Sequence, residues 1–202
     1  MIAIVDYGVG NLFSLTCSFR AIGAEAKLTS DRAEIEAADK IVLPGVGAFG
    51  DAAKKLFSSG LAEVVIAEAK KGKPILGICL GMQLLFDKSY EYGCHNGLGL
   101  IKGEIRPITD VIPAGYKVPH IGWNALTFPK KNELFQYLVE GSYVYFVHSY
   151  YAEIVPETVG VSEYAGVEFT AMVKRGGLWA CQFHPEKSGR VGLALLKEWL
   201  AC

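Results

Sequence analysis

Over its first 90 residues the chain repeats one pattern: a short run rich in β-branched residues, a glycine-bearing turn, then apolar residues at helical spacing. Met1 to Asp6 (MIAIVD) ends at Tyr7-Gly8-Val9-Gly10-Asn11, and Leu12, Leu15, Phe19 and Ile22 follow at helical intervals up to Gly23. Strands are expected next at Ala24 to Leu28 and at Lys40 to Leu43. The second closes into Pro44-Gly45-Val46-Gly47, ahead of one helical segment carrying Leu56, Leu61, Val65 and Ala69. Lys73 to Ile78 is a further strand. Strands joined through helices run parallel and need helices on both faces of the sheet, and such sheets carry ligands at the carboxyl ends of their strands.

After Gly97 the texture changes. Tyr143 to Val147, Glu168 to Lys174 and Leu178 to Phe183 succeed one another with turns and little helix between them, which reads as an antiparallel portion added to the same sheet. Gly189 to Leu200 closes as a helix with Leu193, Leu196 and Leu200 on one face. With 51% apolar residues and no linker-like stretch, residues 1–202 are expected to form a single α/β domain.

Twenty Lys and Arg balance 21 Asp and Glu, for a net charge of -1, so the chain lacks the basic field that tracks a phosphate backbone and nucleic acid is not an expected partner. The apolar stretches Leu61 to Ala69 and Pro74 to Leu80 are broken by Glu or Gly well short of the roughly 18 residues a membrane helix needs. Met1 to Asp6 has no basic segment of the signal-peptide kind, so the expectation is a cytoplasmic chain without membrane contact. The five cysteines, Cys17, Cys79, Cys94, Cys181 and Cys202, are odd in number and contain no CxxC pair. That argues against a disulfide framework and a structural zinc site, and no metal or cofactor is expected.

One cysteine stands in a distinctive frame. Gly77-Ile78-Cys79-Leu80-Gly81 follows an apolar strand and precedes the helix-compatible Met82 to Phe86, reproducing the strand-to-helix elbow of hydrolases with Cys in place of Ser. Glycines flank such a nucleophile because neighbouring Cβ atoms would collide with it or with its substrate, and helix N-terminal N–H groups favour thiolate. An isolated GxCxG is ordinarily a buried small thiol. The second half of the constellation decides otherwise: His184-Pro185-Glu186 ends the strand Leu178 to Phe183, 105 positions after Cys79. Pro185 biases His184 to an extended backbone, in which Glu186, two residues on, shares its side and can orient the imidazole. Cys79, His184 and Glu186 thus read as nucleophile, base and orienting acid. The other histidines, His95, His120 and His148, have no acidic residue two positions on. For the oxyanion of a tetrahedral intermediate, the Leu80 N–H and the backbone of Gly45, Val46 and Gly47 are the candidate donors.

Gly77 to Gln83 together with Gln182 to Glu186 resembles the signature of the class I glutamine amidotransferase family. A narrower resemblance, to the glutaminase subunits of imidazole glycerol phosphate synthase, rests on Asp6 to Asn11, Pro44 to Gly47, Gly97 to Leu100, Pro119 to Asn124, Val147 to Tyr150 and Lys187-Ser188. The resemblance implies a flavodoxin-like class I amidotransferase fold, hydrolysis of L-glutamine, and transfer of the ammonia to a (β/α)8 cyclase subunit in a heterodimer. It also implies that Gln83 and the backbone of Ser149 and Tyr150 hold the glutamine, and that Tyr7, Gly10, Asn11, Trp123 and Lys187 lie at the cyclase interface. Two alternatives stand beside it. One is a glutaminase subunit of another synthase, of the aminobenzoate or anthranilate kind. The other is a noncatalytic flavodoxin-like module, which would leave the paired His184 and Glu186 without a purpose.

Overall fold

A computed structural model describes residues 1–129 and 138–202. The first half runs β1 (Ile2–Val5), α1 (Leu12–Ala21), β2 (Ala26–Thr29), α2 (Arg32–Ala37), β3 (Lys40–Leu43), α3 (Phe49–Ser58), α4 (Leu61–Lys70), β4 (Ile75–Ile78) and α5 (Leu80–Leu84). There follow β5 (Phe86–Ser89), β6 (His95–Asn96), β7 (Ile101–Pro107), β8 (His120–Ala125), β9 (Tyr143–His148), β10 (Tyr150–Ala152), β11 (Thr158–Tyr164), β12 (Val167–Arg175), β13 (Leu178–Cys181) and α6 (Gly189–Ala201).

Seven strands form the main sheet in the order β11-β12-β13-β4-β3-β1-β2. From β2 to β13 every pairing is parallel, and β12 and β11 add antiparallel strands beyond β13. The expected parallel sheet with an antiparallel extension is therefore present. Alternate residues of the central strands point to opposite cores. Ala3, Val5, Ile41 and Leu43 pack with Phe49, Leu56 and Val65 of α3 and α4. Ile2, Ile4, Val42 and Leu76 pack with Phe19 of α1 and Leu196 and Trp199 of α6. Burial on both faces explains why these strands read as continuous apolar runs.

Four local expectations need correction. Tyr143 to Val147 does not join the main sheet; as β9 it pairs with β8 in a separate two-stranded ribbon, and β10-β7-β5-β6 form another small sheet. The single helical segment over residues 49–70 is two helices, because Gly60 takes φ 75 and ends the first. The helix after Cys79 stops at Leu84, and Phe86 opens β5. Along α6 the buried stripe is Gly192, Leu195, Leu196 and Trp199 rather than one including Leu193, a displacement of about one position around the helix. No helix among the described residues is long and apolar enough to cross a membrane.

Candidate active site

At the carboxyl end of β4 the chain turns at Cys79, whose φ of 53 is a left-handed value that a side-chain-bearing residue adopts at a cost of about 1–2 kcal/mol. The glycines on either side permit it. A Cβ on Gly81 would lie 1.9 Å from the Leu43 carbonyl oxygen, and one on Gly77 would lie 3.0 Å from Gly81 O. β13 is the hydrogen-bonded neighbour of β4, with Cys181 opposite Ile78, and the Cys79 N–H donates to Cys181 O at 2.8 Å. Elbow and histidine strand are thus adjacent in space despite their separation in sequence.

His184 is extended (φ -98, ψ 98), as the following proline requires, but Pro185–Lys187 forms a single 3-10 turn and not a continued strand. The turn still brings Glu186 back: its Oε1 lies 2.8 Å from His184 Nδ1, and both side chains are 3% exposed. Ser188 fixes the loop, donating its hydroxyl to His184 O at 2.7 Å and accepting the Tyr145 N–H at 3.0 Å. Burial disfavours the imidazolium, but the Cys79 sulfur and the Glu186 carboxylate outweigh it and push the His184 pKa up to about 10. The second ring nitrogen, Nε2, is buried and has no hydrogen-bond partner among the described residues.

Cys79, Leu80 and His184 line one cavity of about 270 Å³, small for a drug-sized ligand and suited to a single amino acid. Val46, Gly47, Gln83, Ser149 and Tyr150 also line it. Gly45 does not; an added Cβ there would meet Gly81 N, Leu80 Cβ and the Tyr7 hydroxyl, each at 2.9 Å. Leu80 opens α5, so its N–H belongs to the first helical turn, which has no intrahelical acceptor.

The candidate interface residues divide. Tyr7 is buried, donates its hydroxyl to Pro44 O at 2.6 Å, and has its phenol pKa raised by burial and by the charge of Cys79. A Cβ on Gly10 would lie 3.2 Å from Pro44 Cβ, so the Gly8–Asn11 turn backs directly onto the Pro44–Gly47 turn. Asn11 caps α1 without a side-chain hydrogen bond. Trp123 is exposed on β8, and the exposed Lys187 holds its Nζ 5.6 Å from the Tyr145 ring centroid.

Sequence reasoning missed Glu91 and His148. Glu91 lines the cavity, accepts the Phe49 N–H at the start of α3 at 2.6 Å, and has its pKa raised, chiefly by burial. It lies in a loop without periodicity, and no sequence signal marks it. The His148 ring sits 2.9 Å from Tyr150 O and 3.0 Å from His120. Burial holds its pKa down to about 3, so it is a neutral donor to Tyr150 O rather than a second base.

Over residues 3–201 the chain matches the family Glutamine amidotransferase class-I. It belongs to that family. Among curated relatives of this amidotransferase, the imidazole glycerol phosphate synthase subunit HisH of Caldanaerobacter subterraneus subsp. tengcongensis is 47% identical over 201 residues, covering 98% of this chain and 97% of that protein. The subunit of the same name from Aquifex aeolicus is 48% identical, covering 97% and 94%. Two solved structures share the amidotransferase fold at low identity. One, described as a glutamine amidotransferase, has a TM-score of 0.76 at 16% identity over 100% of this chain and 98% of its own. The other, PurLQS from Thermotoga maritima, has a TM-score of 0.74 at 20% identity over 99% and 97%.

Proposed function

We propose that this amidotransferase is the glutaminase subunit of imidazole glycerol phosphate synthase, acting in the cytoplasm with residues 1–202 as one catalytic domain. The observation that carries the chemistry is a strained Cys79 and a Glu186-held His184 lining one cavity from hydrogen-bonded neighbouring strands. The Cys79 thiolate attacks the carboxamide carbon of L-glutamine. The resulting oxyanion is met by the Leu80 N–H and by the backbone of Val46 and Gly47, which line the cavity where Gly45 does not. His184, protonated and braced by Glu186, gives its proton to the departing nitrogen, and ammonia leaves behind a thioester. Neutral His184 then takes a proton from water, which attacks the thioester and releases glutamate and the Cys79 thiolate. Gln83 and the backbone of Ser149 and Tyr150 hold the amino-acid end of the substrate, and Glu91 supplies the negative charge that the α-ammonium group requires.

The relatives of the same length support the choice of synthase. The (β/α)8 cyclase docks, in this reading, on the outer face of the β8–β9 ribbon. Ile121, Trp123 and Tyr143 are 51–60% exposed there, and Trp123 lies opposite Tyr145, beside Lys187. Aromatic anchors beside a cation are what such interfaces favour. The heterodimer passes ammonia directly to the cyclase, which makes imidazole glycerol phosphate and an aminoimidazole carboxamide ribotide during histidine biosynthesis; ammonia released to water would be protonated and lose its nucleophilicity. The test is glutamate release from L-glutamine by the chain alone and with a candidate cyclase. Release that depends on Cys79 and rises with the cyclase supports the reading, and release indifferent to the cyclase reopens the choice of synthase.

A further inference from the structure

Gln182 is wholly buried at the end of β13, two residues before His184, and the reaction above gives it no task. A buried side-chain amide is costly unless both ends are partnered, whereas leucine or methionine would fill the same core space without that cost. Its Nε2 lies 3.7 Å from Cys79 Sγ, and its Oε1 lies 2.9 Å from Gln83 Nε2.

Which end of an amide faces which partner is in general ambiguous, but here a backbone atom decides. Tyr150 O can only accept, and the end of Gln83 that lies 3.1 Å from it must be the NH2 group. That same NH2 meets Gln182, so the Gln182 atom facing it must be the oxygen. The opposite end of Gln182, facing the sulfur, is then an N–H donor. We propose that Gln182 is a further catalytic residue, holding the Cys79 sulfur as thiolate through its side-chain N–H.

The chemistry favours a donor of this kind. A thiol is a weak acceptor, so an N–H aimed at sulfur stabilises the anion over the protonated form. The competing contact, Val147 O as acceptor of the thiol proton, is longer at 4.0 Å. His184 loses its proton as ammonia leaves, while the sulfur is a neutral thioester, and regains one as the thiolate is released. Gln182 keeps its N–H throughout, and the same donor receives the sulfur's charge again when the thioester is hydrolysed. Gln83 also gains a defined presentation: with both its N–H groups committed to Tyr150 O and Gln182 Oε1, only its oxygen remains for a ligand.

This inference rests on Cys79 being the nucleophile, and its test reads the sulfur without requiring turnover. Alkylation of Cys79 by iodoacetamide is followed against pH by mass spectrometry of the peptide carrying it, so that the exposed Cys94 and Cys202 do not interfere. In Gln182→Leu the midpoint of reactivity should rise by about one pH unit, the effect of losing one weak hydrogen bond to an anion. Gln182→Glu, which replaces the N–H by an acceptor, should raise it further. In the unaltered chain the Gln182 side-chain amide resonances should shift with the same midpoint as alkylation. A purely structural Gln182 would lower the melting temperature of its variants and leave the midpoint in place. An unchanged midpoint in either folded variant, or amide resonances that ignore the titration, overturns the proposal. Absence of Cys79-dependent glutamate release in the unaltered chain would instead overturn the glutaminase reading.

Discussion

Across the cavity, the elbow at Gly77–Gly81 and the turn at Pro44–Gly47 are held in different ways. Backbone atoms crowd the elbow, so that a Cβ on Gly81 would sit 1.9 Å from Leu43 O. The opposing turn is clamped only at its inner end, where Gly45 presses on Gly81 and Tyr7 holds the Pro44 carbonyl. At Gly47, with φ 95, no atom lies within 4 Å of an added Cβ, and Val46 beside it is 41% exposed. Cys79, the proposed nucleophile, is thus held by close backbone packing, whereas the outer end of the neighbouring turn has open space at Gly47. A turn free at one end is what an activating partner needs if it is to switch on the oxyanion donors proposed there.

The largest effect expected concerns the fixed side. Cys79→Ala should lower glutamate release by about 10⁴-fold or more while circular dichroism stays unchanged, since only the sulfur is removed. Retained turnover would place the nucleophile elsewhere. Gly81→Ala should cost more than about 3 kcal/mol in denaturant unfolding, because its Cβ meets immobile backbone. Gly47→Ala, with open space but a strained φ, should cost about 1–2 kcal/mol and change the glutaminase rate more than the stability. Equal penalties at the two glycines would break the contrast between the turns.

Glu186→Gln should reduce kcat by about tenfold to a hundredfold, less than loss of the sulfur, because it braces rather than reacts. It removes one of the charges that raise the His184 pKa, so the alkaline limb of the pH–rate profile should move to lower pH. For stability the sign is set by the same shift. A pKa raised to about 10 contributes stability that is complete below the ordinary histidine value near 6.5 and is lost as pH rises through 10. That alkaline loss should shrink in the variant. The smallest effect belongs to Tyr7→Phe, which leaves the Pro44 carbonyl without its hydroxyl donor. It should cost about 1 kcal/mol and slow turnover only a few-fold.

The elbow and the His-Pro-Glu run were legible because each is a contiguous motif whose local backbone demands, a tight turn and an extended residue before proline, are written in glycines and a proline. The parallel sheet was legible because strands buried on both faces are apolar throughout. Glu91 was not, since its place on the cavity depends on a loop reaching the first turn of α3, a contact between segments 42 residues apart. The partition of β9 into its own ribbon was also hidden, because an apolar strand reads alike whichever sheet it joins. The place of Tyr7 at an interface came only from the family resemblance; its burial against the Pro44–Gly47 turn depends on tertiary packing that no local pattern records.

The pairing of β4 with β13 has a consequence for how the chain comes into being. During synthesis Cys79, the proposed nucleophile, emerges about a hundred residues before His184, its proposed base, and the strand leading to His184 fills the place beside β4 only after the ribbon and both antiparallel strands have been made. A ribosome-bound fragment ending before β13 therefore carries the thiol without its histidine or glutamate. On the proposed triad, hydrolytic competence is a late and long-range product of folding, and a fragment ending before β13 is expected to release no glutamate from glutamine.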